Sequence, residues 1–318
     1  MKIISFVIPC YGSEKTIRFV VDEIRTVVSQ EEEFDYEIIA VNDCSPDGVW
    51  NVIKALANDD NRIKGVHLSK NANRPGAVMA GLSLATGEYV VIMDDDGQCP
   101  MDRFWDLLKP VKEGISDVAM ADYPERKQSF LKDIGTLVNK KMTEFIIDRP
   151  KELQFTNFMV IKRYIVDEIL KYDNPYPYMT GLLLRTTQYF SNVTMDERKR
   201  VDNIKTTFTF NKMLSLWFNG LTAFSVKPLR LATILGLFSA LVGAIYSIIT
   251  FVRKLLIQNI NAGYSSIMCV LLIIGGLIMV MLGIIGEYVG RLYICINKSP
   301  QYVIKEMINI NEKAGVAD

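Results

Sequence analysis

Residues 89–98 read YVVIMDDDGQ. A short apolar run, Tyr89 to Met93, ends abruptly in three carboxylates, and a run of that length without polar alternation predicts a strand covered on both faces. The same signature recurs upstream. Ile3 to Pro9, Tyr36 to Val41 and Gly65 to Leu68 predict three further strands, while Ser13 to Ser29, Trp50 to Asn58 and Gly76 to Ala85 carry helical periodicity between them. This alternation predicts an α/β domain built on a parallel sheet. Ligands of such sheets bind beyond the carboxyl ends of the strands. Four polar clusters fall at those ends: Cys10 to Glu14, Asn42 to Ser45, Lys70 with Asn71, and Asp94 to Asp96. They predict one site on one rim.

Composition removes several alternatives. Lys plus Arg and Asp plus Glu both number 36 in the 318 residues, so no overall charge excess points to nucleic acid as a partner. The five cysteines are scattered without a CxxC pair, which fits reduced thiols better than a disulfide framework or a zinc site. A single histidine, His67, excludes HExxH zinc chemistry. No GxGxxG follows the first strand, which disfavours a dinucleotide-binding dehydrogenase. Cys10 to Glu14 is also not the Gly-rich, Arg-containing loop of a nucleotidyltransferase.

Beyond residue 225 the chain changes character. Ala232 to Val252 and Ile267 to Ile285 are free of charge, and each is long enough to cross a hydrocarbon core of ~30 Å as a helix. They predict a hairpin of two transmembrane helices; the alternative is a pair of buried helices in a soluble protein. Lys227, Arg230, Arg291, Lys298 and Lys305 flank the side where the hairpin begins and ends, against Arg253 and Lys254 in its turn. That asymmetry predicts an inner-membrane protein with both termini and the catalytic domain in the cytoplasm. The expected division is a catalytic domain over 1–207, a juxtamembrane segment over 208–230, the two spans within 231–290, and a C-terminal tail over 291–318. Phe208 to Phe224, with one charge among aromatics and leucines, reads as a helix lying in the bilayer surface or as a core-packing helix.

Asp94 and Asp96 lie two apart at a strand end, so their side chains leave on one face if strand geometry persists, and together they suit a hard cation, Mn²⁺ or Mg²⁺. Such an ion neutralises a diphosphate leaving group. The structural alternative is a solvated acidic turn. Asp43 is placed to accept hydrogen bonds from a nucleobase, beside the turn after Pro9 and the ring of Tyr11. Asp43, Ser45 and Asp47 equally suit turn and N-cap chemistry before the second helix.

Four stretches, Phe6-Val-Ile-Pro-Cys-Tyr11, Val41-Asn-Asp-Cys-Ser45-Pro-Asp47, Leu68-Ser-Lys-Asn71 with Ala80-Gly81 and Ala85-Thr-Gly87, and Met93-Asp-Asp-Asp-Gly-Gln98, resemble family 2 of the glycosyltransferases in order and spacing. The hairpin and Phe224-Ser-Val-Lys-Pro-Leu-Arg230 resemble the branch that holds dolichol-phosphate mannose synthases and bactoprenol glucosyltransferases. The resemblance implies a GT-A type nucleotide-diphospho-sugar transferase domain followed by the two-helix hairpin. It further implies transfer from a nucleotide-diphosphate sugar, a UDP-sugar by expectation, to a polyprenyl phosphate such as undecaprenyl phosphate.

Carried over by position, the resemblance implies that Asp43 reads the base, with Pro9, Tyr11, Glu14, Ser45, Lys70, Asn71, Asp94 and Asp95 lining the donor. Asp94, Asp96 and Gln98 hold the metal, and Asp94, Asp96 and Arg200 carry catalysis. Arg126, Lys127 and Lys132, together with Arg198, Arg200 and Lys205 of the basic run around Lys199, face the lipid phosphate. A homo-oligomer and a flippase partner are also expected. The chain departs from the family pattern in three places. Asn73 stands for a frequent Gly, and Asn tolerates the left-handed backbone. Thr156-Asn157-Phe158 stands for Gly-Asp-Phe, so an amide replaces a carboxylate. Arg200, Ile204, Thr206 and Phe208 only loosely match a pattern of Arg, Gly, Ser and Tyr. The rival readings are a transferase acting on a sugar hydroxyl and a non-catalytic membrane scaffold. No Gln-x-x-Arg-Trp element of a processive synthase occurs.

Overall fold

The structure, a computed structural model, describes residues 1–123, 153–201, 264–297 and 299–310, with scattered positions between 233 and 252. The chain divides into two compact units, one of Met1–Phe208 with Lys298–Asp318 and one of Thr209–Asn297.

In the first unit the predicted alternation is realised. Strands β1 (Lys2–Cys10), β2 (Phe34–Asn42), β3 (Ile63–Leu68) and β4 (Tyr89–Ile92) run parallel, joined through helices α1 (Ile17–Val28), α2 (Val49–Asp59) and α3 (Asn73–Leu82). Their apolar runs are continuous because both faces are covered. Seven consecutive residues of β1 and all four of β4 are buried. Helix α1 presents Ile17, Val20, Val21, Ile24 and Val28, an i, i+3, i+4, i+7 stripe that fits a single buried face. It begins at Ile17 rather than Ser13, because the amides of Thr16 and Ile17 both donate to the Ser13 carbonyl in a turn. On the other face α3 lies so close to β1 that a Cβ at Gly81 would collide with Val7.

The sheet continues past β4. A 3₁₀ turn (Met101–Arg103) and α4 (Phe104–Lys112) lead into β5 (Val118–Asp122). Strand β6 (Met159–Lys162) then inserts antiparallel between β4 and β5. After α5 (Arg163–Leu170) and α6 (Met179–Thr186), β7 (Phe190–Thr194) joins the far edge parallel to β5. With β8 (Ile304–Ile308) at the other edge, the order is β7-β5-β6-β4-β1-β2-β3-β8.

The last strand, β8 (Ile304–Ile308), comes from the segment expected to be a tail. It pairs antiparallel with β3, with a bulge between His67 and Leu68. Side chains fix it there. Trp50 Nε1 donates to Glu306 at 3.2 Å, Asn309 Nδ2 to the carbonyls of Ala57 and Ile63 at 2.6 and 2.9 Å, and Gln301 Nε2 to those of Tyr172 and Asn174 at 2.7 and 2.8 Å. The first unit is therefore closed by residues that follow the second in sequence.

The second unit contains α7 (Tyr264–Ile296), 33 residues and about 50 Å long at 1.5 Å per residue. Among the described residues, no helix is long and apolar enough to cross a membrane. The expected span Ile267 to Ile285 falls within α7. Of Ala232 to Val252, the described positions are helical. The juxtamembrane segment 208–230 lies outside the described residues.

One buried charge sits in the N-terminal half of the sheet, away from the strand exits. Glu37 is 5% exposed, takes Ser5 Oγ and Lys64 Nζ each at 2.5 Å, and also accepts from the Thr86 amide and hydroxyl. Burial alone would raise its pKa, but Lys64, Ser5 and Thr86 outweigh burial and lower it. A depressed carboxylate contributes stability that is present above its unfolded pKa and lost as pH falls through the folded one. Glu37→Gln is accordingly expected to destabilise the protein by about 3 kcal/mol near neutrality, by stranding Lys64. The deficit should shrink below pH ~4, as read from denaturation midpoints across pH.

Candidate active site

The strand exits meet as predicted, and their side chains divide into two kinds of work. Of the three aspartates after β4, Asp95 is structural: its carboxylate accepts from the Tyr11 amide at 3.0 Å, binding the β4 exit to the β1 exit. Enclosure of that carboxylate, with Asp94 and Asp96 on either side, pushes its pKa up to about 6. Asp94 accepts from Arg74 Nε at 2.9 Å and from Asn157 Nδ2 at 2.8 Å. Asp96 accepts from the Gln98 amide at 3.1 Å, and Arg200 Nε lies 3.6 Å from its other oxygen. The turn that follows needs glycine at Gly97, where φ is +75° and a Cβ would press on Val201.

The second exit is shaped by Asp43, which is 4% exposed and accepts from the Ala72 amide at 2.6 Å. Burial raises its pKa to about 6, with the Ala72 amide opposing. Asn71 donates to the Asp43 carbonyl at 3.1 Å, and Asn73 takes the left-handed conformation at φ 58° that its side chain tolerates. Ser45 and Glu14, both expected at the donor, knit the first two exits together. Ser45 Oγ accepts from the Gly12 amide at 2.8 Å and donates to Asp47 at 2.7 Å, while Glu14 accepts from the Gly48 amide at 3.0 Å. Pro9 is buried at the end of β1; Tyr11, Lys70 and Asn71 stand exposed at the rim. His67 is structural, stacked on Trp50 with ring centroids 5.0 Å apart and paired with Asn42 at 2.8 Å.

The segment after β7 forms a strap across the acidic motif. The Arg198 amide donates to the Gln98 carbonyl at 3.1 Å, Gln98 Nε2 donates to the Arg198 carbonyl at 3.2 Å, and the Val201 amide donates to the Asp96 carbonyl at 3.2 Å. Gln98, expected in a metal shell, thus directs its amide nitrogen to the strap. Arg198, expected at a lipid phosphate, is instead held between Glu23, at 2.6 Å, and Asp102. Lys199 is exposed. Arg126, Lys127, Lys132 and Lys205 lie outside the described residues.

Sequence reading missed Arg74. It follows Asn73 in the first turn of α3, three residues beyond Asn71 of the third polar cluster, and its position against Asp94 depends on how that turn leaves β3. Among the described residues no three acidic, histidine or cysteine side chains converge as a complete metal cage. Asp94 and Asp96 offer hard oxygens opposed by Arg74 and Arg200. Such a donor set fits Mg²⁺ or Mn²⁺ that completes its shell with phosphate oxygens and water.

Comparison with known proteins places this geometry. The pattern of glycosyl transferase family 2 matches residues 5–170, and that of the GtrB C-terminal hairpin matches residues 227–292. The chain is 31% identical over 310 residues to a putative glycosyltransferase, CsbB, of Bacillus subtilis, covering 96% of this chain and 92% of that one. It is 30% identical over 312 residues to a prophage bactoprenol glucosyl transferase homolog of Escherichia coli, covering 96% and 99%. In structure, mannosyl-3-phosphoglycerate synthase from Rubrobacter xylanophilus superposes with a TM-score of 0.51 at 17% identity, covering 72% of this chain and 74% of that one, a likeness of fold. With both patterns matched in order and the rim in the expected place, the chain belongs to glycosyl transferase family 2, in its polyprenyl-phosphate branch.

Proposed function

We propose that this protein transfers a sugar from a nucleotide-diphosphate sugar, a UDP-sugar by preference, to a polyprenyl phosphate such as undecaprenyl phosphate, at the inner face of a membrane and with inversion at the anomeric carbon. The observation that carries this reading is the grouping of Arg74, Asn157 and Arg200 around the carboxylates of Asp94 and Asp96 at the strand exits. Cationic and amide donors set against paired carboxylates suit a diphosphate with its metal, since the donors can pair with phosphate oxygens and the carboxylates with the cation. Relatives named as bactoprenol glucosyl transferases support the lipid acceptor.

Asp94 and Asp96 would hold Mn²⁺ or Mg²⁺, which supplies Lewis-acid neutralisation of the departing diphosphate. Arg74 supports the same charge from α3. Asp43, buried and ionised above pH ~6, accepts from the base. A lipid phosphate oxygen forms the new bond to the anomeric carbon while the bond to the nucleoside diphosphate breaks, its electron pair leaving on the diphosphate. A phosphate monoester has a second pKa near ~6 and is largely dianionic at neutrality, so no proton has to be removed. Asn157, which donates to Asp94, is consistent with that: the position holds an amide where a sugar hydroxyl acceptor would call for a base.

A membrane location for the second unit is supported by exposed apolar side chains along α7, among them Ile267, Leu271, Met279, Val280 and Leu282, which suit lipid rather than water. The chain leaves the first unit at residue 208 and returns to it at 298. An excursion that starts and ends on one folded body crosses a bilayer an even number of times. Two crossings fit, and they keep the catalytic rim and β8 on the same side.

The full-length protein in detergent is expected to move label from one of a panel of radiolabelled nucleotide sugars into organic-extractable undecaprenyl phosphate. The transfer should require Mn²⁺ or Mg²⁺, stop with chelator, and fall by at least ~100-fold in Asp96→Ala. Folded protein that labels no lipid with any donor would overturn the reading. Arg74→Ala is expected to weaken donor binding about ten-fold or more, with Arg74→Lys intermediate, in an equilibrium titration with nucleotide sugar. Because the Asp43 carboxyl titrates near 6, donor binding should weaken as pH falls from 7.5 to 5; in Asp43→Asn the same titrations should be weaker at pH 7.5 and flatter across the range.

A further inference from the structure

Arg198 was expected to meet the acceptor phosphate, but its surroundings describe a different task. The guanidinium lies between two carboxylates on separate elements: Nη1 bonds Glu23 of α1 at 2.6 Å, and Nη2 bonds Asp102 in the 3₁₀ turn. Its own backbone is bonded on both sides to Gln98, two residues past the last aspartate of the motif. Three residues on, Val201 donates to the Asp96 carbonyl and its side chain covers Gly97, while Arg200 approaches the Asp96 carboxylate. The preceding end of the strap is pinned as well, by the Met195 amide on the Asp122 carbonyl at 2.9 Å. Every contact of Arg198 thus fixes where the strap runs. Arg200 can hold its place beside Asp96 only if the strap does.

We propose that Glu23, Asp102 and Arg198 form a clamp that positions the strap 195–201, and with it Arg200, over the acidic motif, and that Glu23 and Asp102 are positioning residues for sugar transfer. This rests on the proposed transferase reading for its catalytic consequence but not for the clamp itself. A guanidinium that already neutralises two carboxylates has little charge left for a phosphate, whereas Arg200, 3.6 Å from one carboxylate oxygen, is the arginine delivered to the reacting end of the site.

The strap carries its own reporter, because Arg198, Lys199 and Arg200 are adjacent trypsin sites. Glu23→Gln, Asp102→Asn and the double variant leave all three intact. In the full-length protein in detergent, with an unchanged melting temperature, the double variant is expected to be cut at the strap about five-fold faster than wild type, as loss of two partly exposed ion pairs allows more frequent local opening. In the transfer assay it should lose kcat by a similar factor with the KM for lipid phosphate unchanged, and Arg198→Lys should retain more activity than Arg198→Ala. Unchanged cleavage in the double variant overturns the clamp. So does a rise in lipid-phosphate KM on Arg198→Ala with kcat preserved and Glu23→Gln silent, which would make Arg198 an acceptor ligand. If wild type transfers no sugar, the transferase reading fails, and the cleavage rates still decide the clamp.

Discussion

The site depends on a single hydrogen bond between neighbouring strand exits, from the Tyr11 amide to the Asp95 carboxylate. Three carboxylates in succession repel one another, and enclosing one of them costs it its hydration. Committing the middle one to a backbone amide resolves the crowding: Asp95 is drawn into the first exit, leaving Asp94 and Asp96 to engage arginines from α3 and from the strap. The raised pKa of Asp95 is the electrostatic trace of that enclosure. The three consecutive acids therefore divide, the middle one tied to a backbone amide and its two neighbours turned toward arginines.

The same division runs through the second exit. Ser45, Asp47 and Glu14 form a closed chain of hydrogen bonds between the β1 and β2 loops, so the side chains at these exits hold the loops to one another. Asp43 is the exception, a buried carboxylate whose bond from the Ala72 amide leaves it capacity to accept again. Loops fixed to one another from the inside are pre-organised, and catalysis by positioning requires that rigidity before the substrate arrives.

Local information in the sequence accounts for most of the first unit. Strands β1 to β4 are apolar runs that could only be buried, and the polar residues after each had to share a rim because parallel strands end on one side. What was illegible depends on partners far apart in the chain. Arg198 reads as one of three exposed cations until Glu23, 175 residues earlier, and Asp102, 96 earlier, are brought beside it. Arg74 reads as a helix residue until β4 places Asp94 against it. Strand β8 was missed for another reason: IKEMI carries two charges in five residues, as an edge strand with one open side can.

That edge strand gives the chain an unusual order of assembly. Residues 209–297 are an insertion within a fold whose final strand comes afterwards, so β3 remains an uncapped edge throughout synthesis of the hairpin. An uncapped parallel edge is a template for mispairing. The catalytic domain consequently matures last, after the hairpin has been made. A chain interrupted anywhere within residues 209–297 leaves β3 without its edge partner and the sheet one strand short.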